Sequence, residues 1–149
     1  MRRLCLDSSV IVKLLVDEEG SKQARELIGD AVLANALVVA PAFAWAEVGS
    51  VLRKKVRQGR LLPDEAERAW RLFIGLPIEY VDSLEIRERA WAIASDCNLP
   101  TLYDAAFLAA AETLLDGPGE FWTSDNGLVT ALQDKKPYVR GLYGQTDPH

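Results

Sequence analysis

Four widely separated carboxylates are the residues whose types and positions in this sequence could do chemistry. They are Asp7, Glu47, Asp104 and Asp125. The single histidine is His149, so no internal histidine exists for a Ser-His-Asp or Cys-His arrangement, or for the usual kind of zinc site. Any catalysis must therefore rest on carboxylates, hydroxyls, lysine or a bound metal ion. Carboxylate oxygens are the ligands that magnesium and manganese prefer.

Each of these acids also has an ordinary structural explanation. Asp7 and Asp125 each follow a short apolar segment and precede a helical one, where aspartate often caps the helix. Asp104 lies in the first turn of an alanine-rich helical segment, where a negative charge favours the helix dipole. Glu47 falls at the border of the apolar stripe of its helix, as half-buried glutamates often do. Taken alone, each acid is more readily explained as structural than as catalytic.

The segments around the acids alternate short apolar runs with amphipathic stretches, which predicts an α/β fold with a mainly parallel central sheet of four or five strands. Strands are expected at residues 3–6, 37–40, 78–81 and 120–124, with a fifth candidate at 138–142. Helices are expected at 8–16, 21–35, 42–58, 83–97, 101–115 and 126–132, and a further one begins at residue 63. The core stripe of that further helix is expected to consist of Ala66, Ala69, Trp70, Phe73 and Ile74. The helix at 101–115 is apolar nearly all round and should be buried.

The strand pattern also predicts where the acids meet. Sites in open α/β sheets form beyond the carboxyl ends of the strands. Asp7 and Asp125 would therefore lie close together if their two strands were neighbours, which the sequence alone does not decide. Residues 1–143 are expected to form a single domain, and 144–149 a polar tail.

Composition limits the class of protein further. The chain has 149 residues, of which 49% are hydrophobic, enough for one sizeable core. No apolar run approaches the ~18 residues of a membrane span, and Asp7 interrupts the segment where a signal peptide would need ~7–15 apolar residues. A cytoplasmic location is therefore expected, with Cys5 and Cys97 as buried reduced thiols. The net charge of −5 argues against non-specific nucleic-acid binding, although metal-binding carboxylates would account for part of it.

In their order and context, the four acids resemble the motifs of the PIN domain family, especially the VapC toxins of bacterial and archaeal toxin–antitoxin pairs. The matching segments are Leu6-Asp7-Ser8-Ser9-Val10, Pro41 followed six residues later by Glu47, Tyr103-Asp104-Ala105 and Thr123-Ser124-Asp125. Any one segment is a weak signal, but all four in order make a strong one, and the resemblance covers nearly the whole chain. It implies a three-layer α/β/α fold.

The resemblance also implies an activity, the hydrolysis of RNA phosphodiester bonds with Mg²⁺ or Mn²⁺ as the cofactor. Asp7 and Asp104 are expected to hold the main ion, with Glu47 and Asp125 completing the site. A bound ion can lower the pKa of water and neutralise phosphate charge, and two ions ~3.5–4 Å apart could serve both ends of an in-line displacement. Homodimers and a small antitoxin partner are usual in the family, so both are expected here, with no membrane partner.

Two further groups of residues have a functional and a structural interpretation. Ser9 and Thr123 match family positions that bear hydroxyls and could orient ligands or water, or they could serve only as helix-cap and strand-end residues. A dense basic cluster follows Glu47 and could contact RNA phosphates, although a solvated helix face is the slightly favoured explanation. Its members are Arg53, Lys54, Lys55, Arg57 and Arg60.

Two other functions compete with the ribonuclease hypothesis. A phosphatase of the haloacid dehalogenase type also has an aspartate after its first strand, but it needs a second aspartate two residues later, where this sequence has Ser9. It also needs a suitably placed lysine late in the chain. The second alternative is a PIN-like binding module that has lost its activity, and the presence of all four acids argues against that loss.

Overall fold

A computed structural model describes residues 2–113 and 119–144 of the chain. Within them, five strands form one sheet and seven helices cover its faces. The strands are β1 (Arg3–Leu6), β2 (Leu37–Pro41), β3 (Ile78–Val81), β4 (Glu120–Thr123) and β5 (Val139–Gly141). The helices are α1 (Ser8–Leu15), α2 (Ser21–Leu33), α3 (Ala44–Arg57), α4 (Pro63–Ile74), α5 (Leu84–Asp96), α6 (Tyr103–Glu112) and α7 (Asn126–Leu132).

The sheet is parallel throughout, with the strand order β3-β2-β1-β4-β5. The chain builds outward from β1 through β2 to β3, and then returns to place β4 and β5 on the other side. In the register of the central pair, Leu6 lies opposite Trp122, and the Asp7 amide donates to the Trp122 carbonyl at 3.0 Å. The carboxyl ends of β1 and β4 therefore meet where the strand order reverses, which is the usual position of a site in such sheets.

Two cores hold the helices against the sheet, because successive strand residues point to opposite faces. Leu4 and Leu6 pack into the core shared with α1 to α4, whereas Cys5 points into the core shared with α5, α6 and α7. Helix α6 contacts β1, β2 and β4 and is buried along most of its length, as its composition predicted. The predicted three-layer α/β/α fold is confirmed.

The observed bounds lie within two residues of the predicted ones, except at the end of α6. That helix ends at Glu112, and the predicted continuation to residue 115 lies partly outside the described residues, as does the predicted tail beyond 144. The expectation that Ile74 belongs to the core is wrong, since 59% of its surface is exposed. Helix α4 buries a narrow stripe of Ala69 and Phe73, and Ile74 lies about 100° further round the helix.

The described residues contain no helix that is both long enough and apolar enough to cross a membrane. Both cysteines are free thiols, but only Cys5 is fully buried and Cys97 is half-buried.

A candidate metal centre at the carboxyl edge of the sheet

Asp7 lies directly after β1 and is held in place from several sides. Its Oδ1 atom accepts hydrogen bonds from the Val10 amide at 3.1 Å and from Ser9 Oγ at 2.5 Å, and its carboxylate also bonds with Thr123. Burial raises the pKa of Asp7 to about 6; these three hydrogen bonds lower it and the charge of Asp104 raises it further. Asp7 is thus a helix cap, as its position suggested, and also a carboxylate fixed in a desolvated place.

The end of β4 supplies the hydroxyl groups around Asp7. Thr123 is fully buried, and its Oγ1 accepts a hydrogen bond from the Asp125 amide at 3.1 Å. Ser124 Oγ donates to Ser9 Oγ at 2.7 Å and so joins the two strand ends. The Asp125 side chain is exposed and caps α7 by accepting from the Leu128 amide at 3.1 Å.

Glu47 reaches the same edge from α3. It lies in the first turn of that helix, is half-buried as expected, and accepts a hydrogen bond from the Ser8 hydroxyl. Because Ser8 begins α1, this bond ties the start of α3 to the end of β1. The α3 N-terminus has no side-chain cap of its own, since Phe43 occupies the cap position.

Asp104 reaches the same edge of the sheet from the first turn of α6, and aromatic packing fixes the position of that turn. The Phe43 ring makes an edge-to-face contact with Tyr103 at 5.7 Å and with Phe107 at 5.9 Å between ring centroids. These two rings flank Asp104 in the sequence, so the start of α3 and the start of α6 are held against each other. Asp104 itself is half-buried.

The four predicted acids influence one another electrostatically. Burial raises the pKa of Asp104, and the nearby charges of Glu47 and Asp125 raise it further, while Asp104 in turn raises the pKa of Asp7. Within residues 2–113 and 119–144, no lysine or arginine forms an ion pair with any of the four. The edge of the sheet therefore gathers negative charge, and in the described residues the salt bridges lie elsewhere.

The chemistry of these residues fits a hard divalent cation. In the part of the chain that the structure describes, no three acidic, cysteine or histidine side chains already form a compact metal cluster. The donor set is nevertheless entirely carboxylate oxygen, which suits Mg²⁺ or Mn²⁺. A bound cation would also relieve the mutual repulsion that raises the pKa of Asp104.

Two further hydroxyl residues take part in the site. Ser8 bonds to Glu47, and Ser124 bonds to Ser9, whereas the family resemblance predicts a role only for Ser9 and Thr123. The available signal was the repetition of adjacent hydroxyl residues, Ser8-Ser9 after Asp7 and Thr123-Ser124 after β4.

The basic cluster of α3 is not uniform. Lys55 forms an ion pair with Glu18 at 2.6 Å, and Lys13 binds the same carboxylate at 3.1 Å, so Lys55 belongs to a local network. The other members are exposed: Arg53, Lys54, Arg57 and Arg60. They lie further along α3 or just after it, with Arg53 about 9 Å along the helix axis from Glu47.

The fold and the acids together define a class of protein, a small parallel α/β domain with acidic side chains at the carboxyl edge of its sheet, beside its topological switch point. The model of the PIN domain family matches residues 4–126, a range that contains all four acids. The chain therefore belongs to the PIN domain family, as the resemblance indicated. It is similar to Ribonuclease VapC3 of Pyrobaculum aerophilum, with 34% identity over 131 residues, covering 85% of this chain and 92% of that protein.

Proposed function

We propose that this chain is a divalent-metal-dependent endoribonuclease and the toxin of a toxin–antitoxin pair. The observation that supports this most directly is the convergence of Asp7, Glu47, Asp104 and Asp125 from four different segments on one edge of the sheet. Membership of the PIN domain family and similarity to a protein named Ribonuclease VapC3 favour RNA as the substrate. Assembly as a homodimer, a small antitoxin partner and a cytoplasmic location belong to the same proposal.

Each acid has a role in this proposal. Asp7 and Asp104 hold the main Mg²⁺ or Mn²⁺ ion, and Glu47 and Asp125 complete the site. When bound, the ion would activate water and neutralise charge on the phosphate. No histidine base is then required, which agrees with the absence of an internal histidine from the sequence.

The hydroxyl groups would set the position of the main ligand before any ion arrives. Ser9 and Thr123 bond to Asp7, and Ser124 holds Ser9. A carboxylate whose rotamer is already fixed loses less entropy when it binds a cation. Ser8 would do the same for Glu47.

The test is RNA cleavage by the purified chain with and without Mg²⁺ or Mn²⁺. We expect Asp7→Asn and Asp104→Asn each to reduce cleavage at least about 100-fold, because loss of a ligand charge weakens both metal binding and phosphate neutralisation. Asp64→Asn is the matched control, since Asp64 is an exposed acid in the first turn of α4. Variants of Asp7 and Asp104 that cleave like the parent would overturn the site assignment.

The competing functions give different outcomes in the same experiment. Metal binding by calorimetry without any cleavage would favour an inactive binding module. Hydrolysis of phosphomonoesters would favour the phosphatase, for which Ser9 stands where the second aspartate is needed. Membership of the PIN domain family and the cluster of acids favour neither the inactive binding module nor the phosphatase.

A further inference from the structure

A pocket of about 380 Å³ opens at Tyr103, the residue directly before Asp104, and the roles above assign no ligand to it. It lies at the carboxyl ends of β2 and β3, next to the start of α6, and its volume is that of an ordinary small-molecule site, ~300–1,000 Å³. Most of its lining is apolar or aromatic: Phe43, Ile86, Ala90, Leu102, Tyr103 and Ala106. Because Tyr103 directly precedes Asp104, the pocket and the proposed metal centre share one helical turn.

Tyr103 is the most accessible ring of this pocket. It is 60% exposed, although it begins a helix that is otherwise mostly buried. Its contact with Phe43 fixes one side of the ring and leaves the rest open to a ligand. Proteins that bind single-stranded RNA stack unpaired bases on aromatic rings placed in this way.

The charge of the pocket favours a base over a phosphate. Its acidic and basic side chains are Asp82 and Arg87, which are joined by two hydrogen bonds of 3.0 and 2.7 Å. The pair is neutral as a whole, so it offers no unpaired cation to attract a phosphate. Arg87 and Asp82 instead offer donors and acceptors of the kind that read the edge of a planar base.

We propose that this pocket binds one unstacked nucleobase of the RNA substrate, adjacent to the phosphate that is cleaved, with Tyr103 as the stacking surface. The inference rests on the ribonuclease function proposed above and names the part of the substrate that the site recognises. Tyr103 is a positioning residue in this role. It contributes to substrate binding, so its loss should raise KM more than it lowers kcat.

The first experiment compares side chains of similar size with and without an aromatic face. We expect Tyr103→Leu to raise KM for a short RNA substrate about 5- to 150-fold, the range that corresponds to loss of one base–aromatic stack. Tyr103→Phe keeps the ring and should behave like the parent. Trp91→Leu removes an exposed ring of α5 that does not line the pocket, and it should also leave KM unchanged.

The second experiment locates the base. Each nucleotide of the substrate is replaced in turn by an abasic one, and we expect one position next to the cleaved bond to show a large rise in KM. At that position Tyr103→Leu should add little to the abasic loss, because both changes remove the same contact. Fully additive losses at every position, or a Tyr103→Leu variant indistinguishable from the parent, would overturn the proposal.

The pocket can also be tested apart from catalysis. RNA that carries 2-aminopurine at single positions is titrated with metal-free protein, and its emission reports stacking. We expect a change at one position with the parent and with Tyr103→Phe, but not with Tyr103→Leu. The same response in the Leu variant would reject the pocket even in an active enzyme, whereas absence of cleavage by the parent with any metal would reject the proposed function alone.

Discussion

Asp7 shows how a single residue can serve structure and yet lower stability. Its carboxylate caps α1, but burial raises its pKa from 3.8 to about 6. Between pH 4 and pH 6 the folded protein keeps a proton that the unfolded chain has released, so the free energy of unfolding falls as the pH rises through this window. Above pH 6 the folded state carries the full cost of the buried charge. Such a cost is expected of a carboxylate that binds a cation, which is the role proposed for Asp7.

This cost leads to a prediction for Asp7→Asn in the metal-free protein. Asparagine can accept the same hydrogen bond from the Val10 amide but has no charge to bury. We expect the variant to be more stable than the parent by roughly 1–3 kcal/mol at pH 8, with the difference vanishing near pH 4. Thermal unfolding of parent and variant at pH 8 and pH 4 measures this difference in stability. Mg²⁺ should raise the Tm of the parent but not of the variant. A variant less stable than the parent at pH 8 would show that the hydrogen bonds of the carboxylate outweigh its burial.

The residue types of the site were readable from the sequence, but their contacts were not. Asp7 and Asp125 each had a capping and a functional interpretation, and both do cap their helices. The hydrogen bond between Ser9 and Ser124 joins residues 115 apart in the chain. Such a contact depends on β1 and β4 being neighbours, and local sequence patterns do not specify strand order.

Among the helices, the local sequence pattern was most informative where burial is nearly complete. Helix α6 was predicted as buried because no polar face interrupts it, and the structure confirms this. Helix α4 shows the opposite result, since Ile74 continues its apolar pattern but faces solvent. The width of a buried stripe depends on how closely the neighbouring helix packs, and the sequence of α4 alone does not contain that distance.

The packing of α3 on α4 provides a prediction at this scale. Gly49 lies in the middle of α3, and a Cβ atom there would come within 2.9 Å of the Trp70 ring. Alanine would therefore displace an indole that also contacts Phe73. We expect Gly49→Ala to destabilise the protein by about 1 kcal/mol, because overpacking exceeds the roughly 0.5–1 kcal/mol that alanine gains over glycine in a helix.

Gly29 supplies the matched control for that substitution. It lies inside α2, and a Cβ atom at this position would meet nothing within 4 Å. Gly29→Ala should therefore stabilise the protein by about 0.5–1 kcal/mol, the intrinsic helix preference alone. Urea unfolding of both variants measures the two values, and equal stabilisation would mean that Trp70 moves aside without cost.

The net charge of the whole protein opposes the proposed binding of RNA, because both the protein and RNA are negatively charged. The net charge is −5, and the acidic edge of the sheet adds to local repulsion unless a cation is bound. The basic cluster of α3 is the densest compensating charge in the sequence. With Lys55 paired to Glu18, the other members of the cluster are the exposed ones, and Lys54 and Arg57 are two of them within α3.

The salt dependence of RNA affinity tests whether the basic cluster of α3 contacts RNA. Each phosphate contact to a single strand contributes about 0.7 to the slope of log affinity against log salt. We expect the double variant Lys54→Gln and Arg57→Gln to reduce the steepness of that slope by about 1.4, measured without metal so that the RNA stays intact.

The control is Lys22→Gln with Lys135→Gln, which removes the same charge from exposed positions outside α3. Because both pairs change the net charge equally, a slope that falls only for the α3 pair assigns the contacts to that helix. Equal slopes for the two pairs would mean that α3 is a solvated face and that RNA binding depends on overall charge alone.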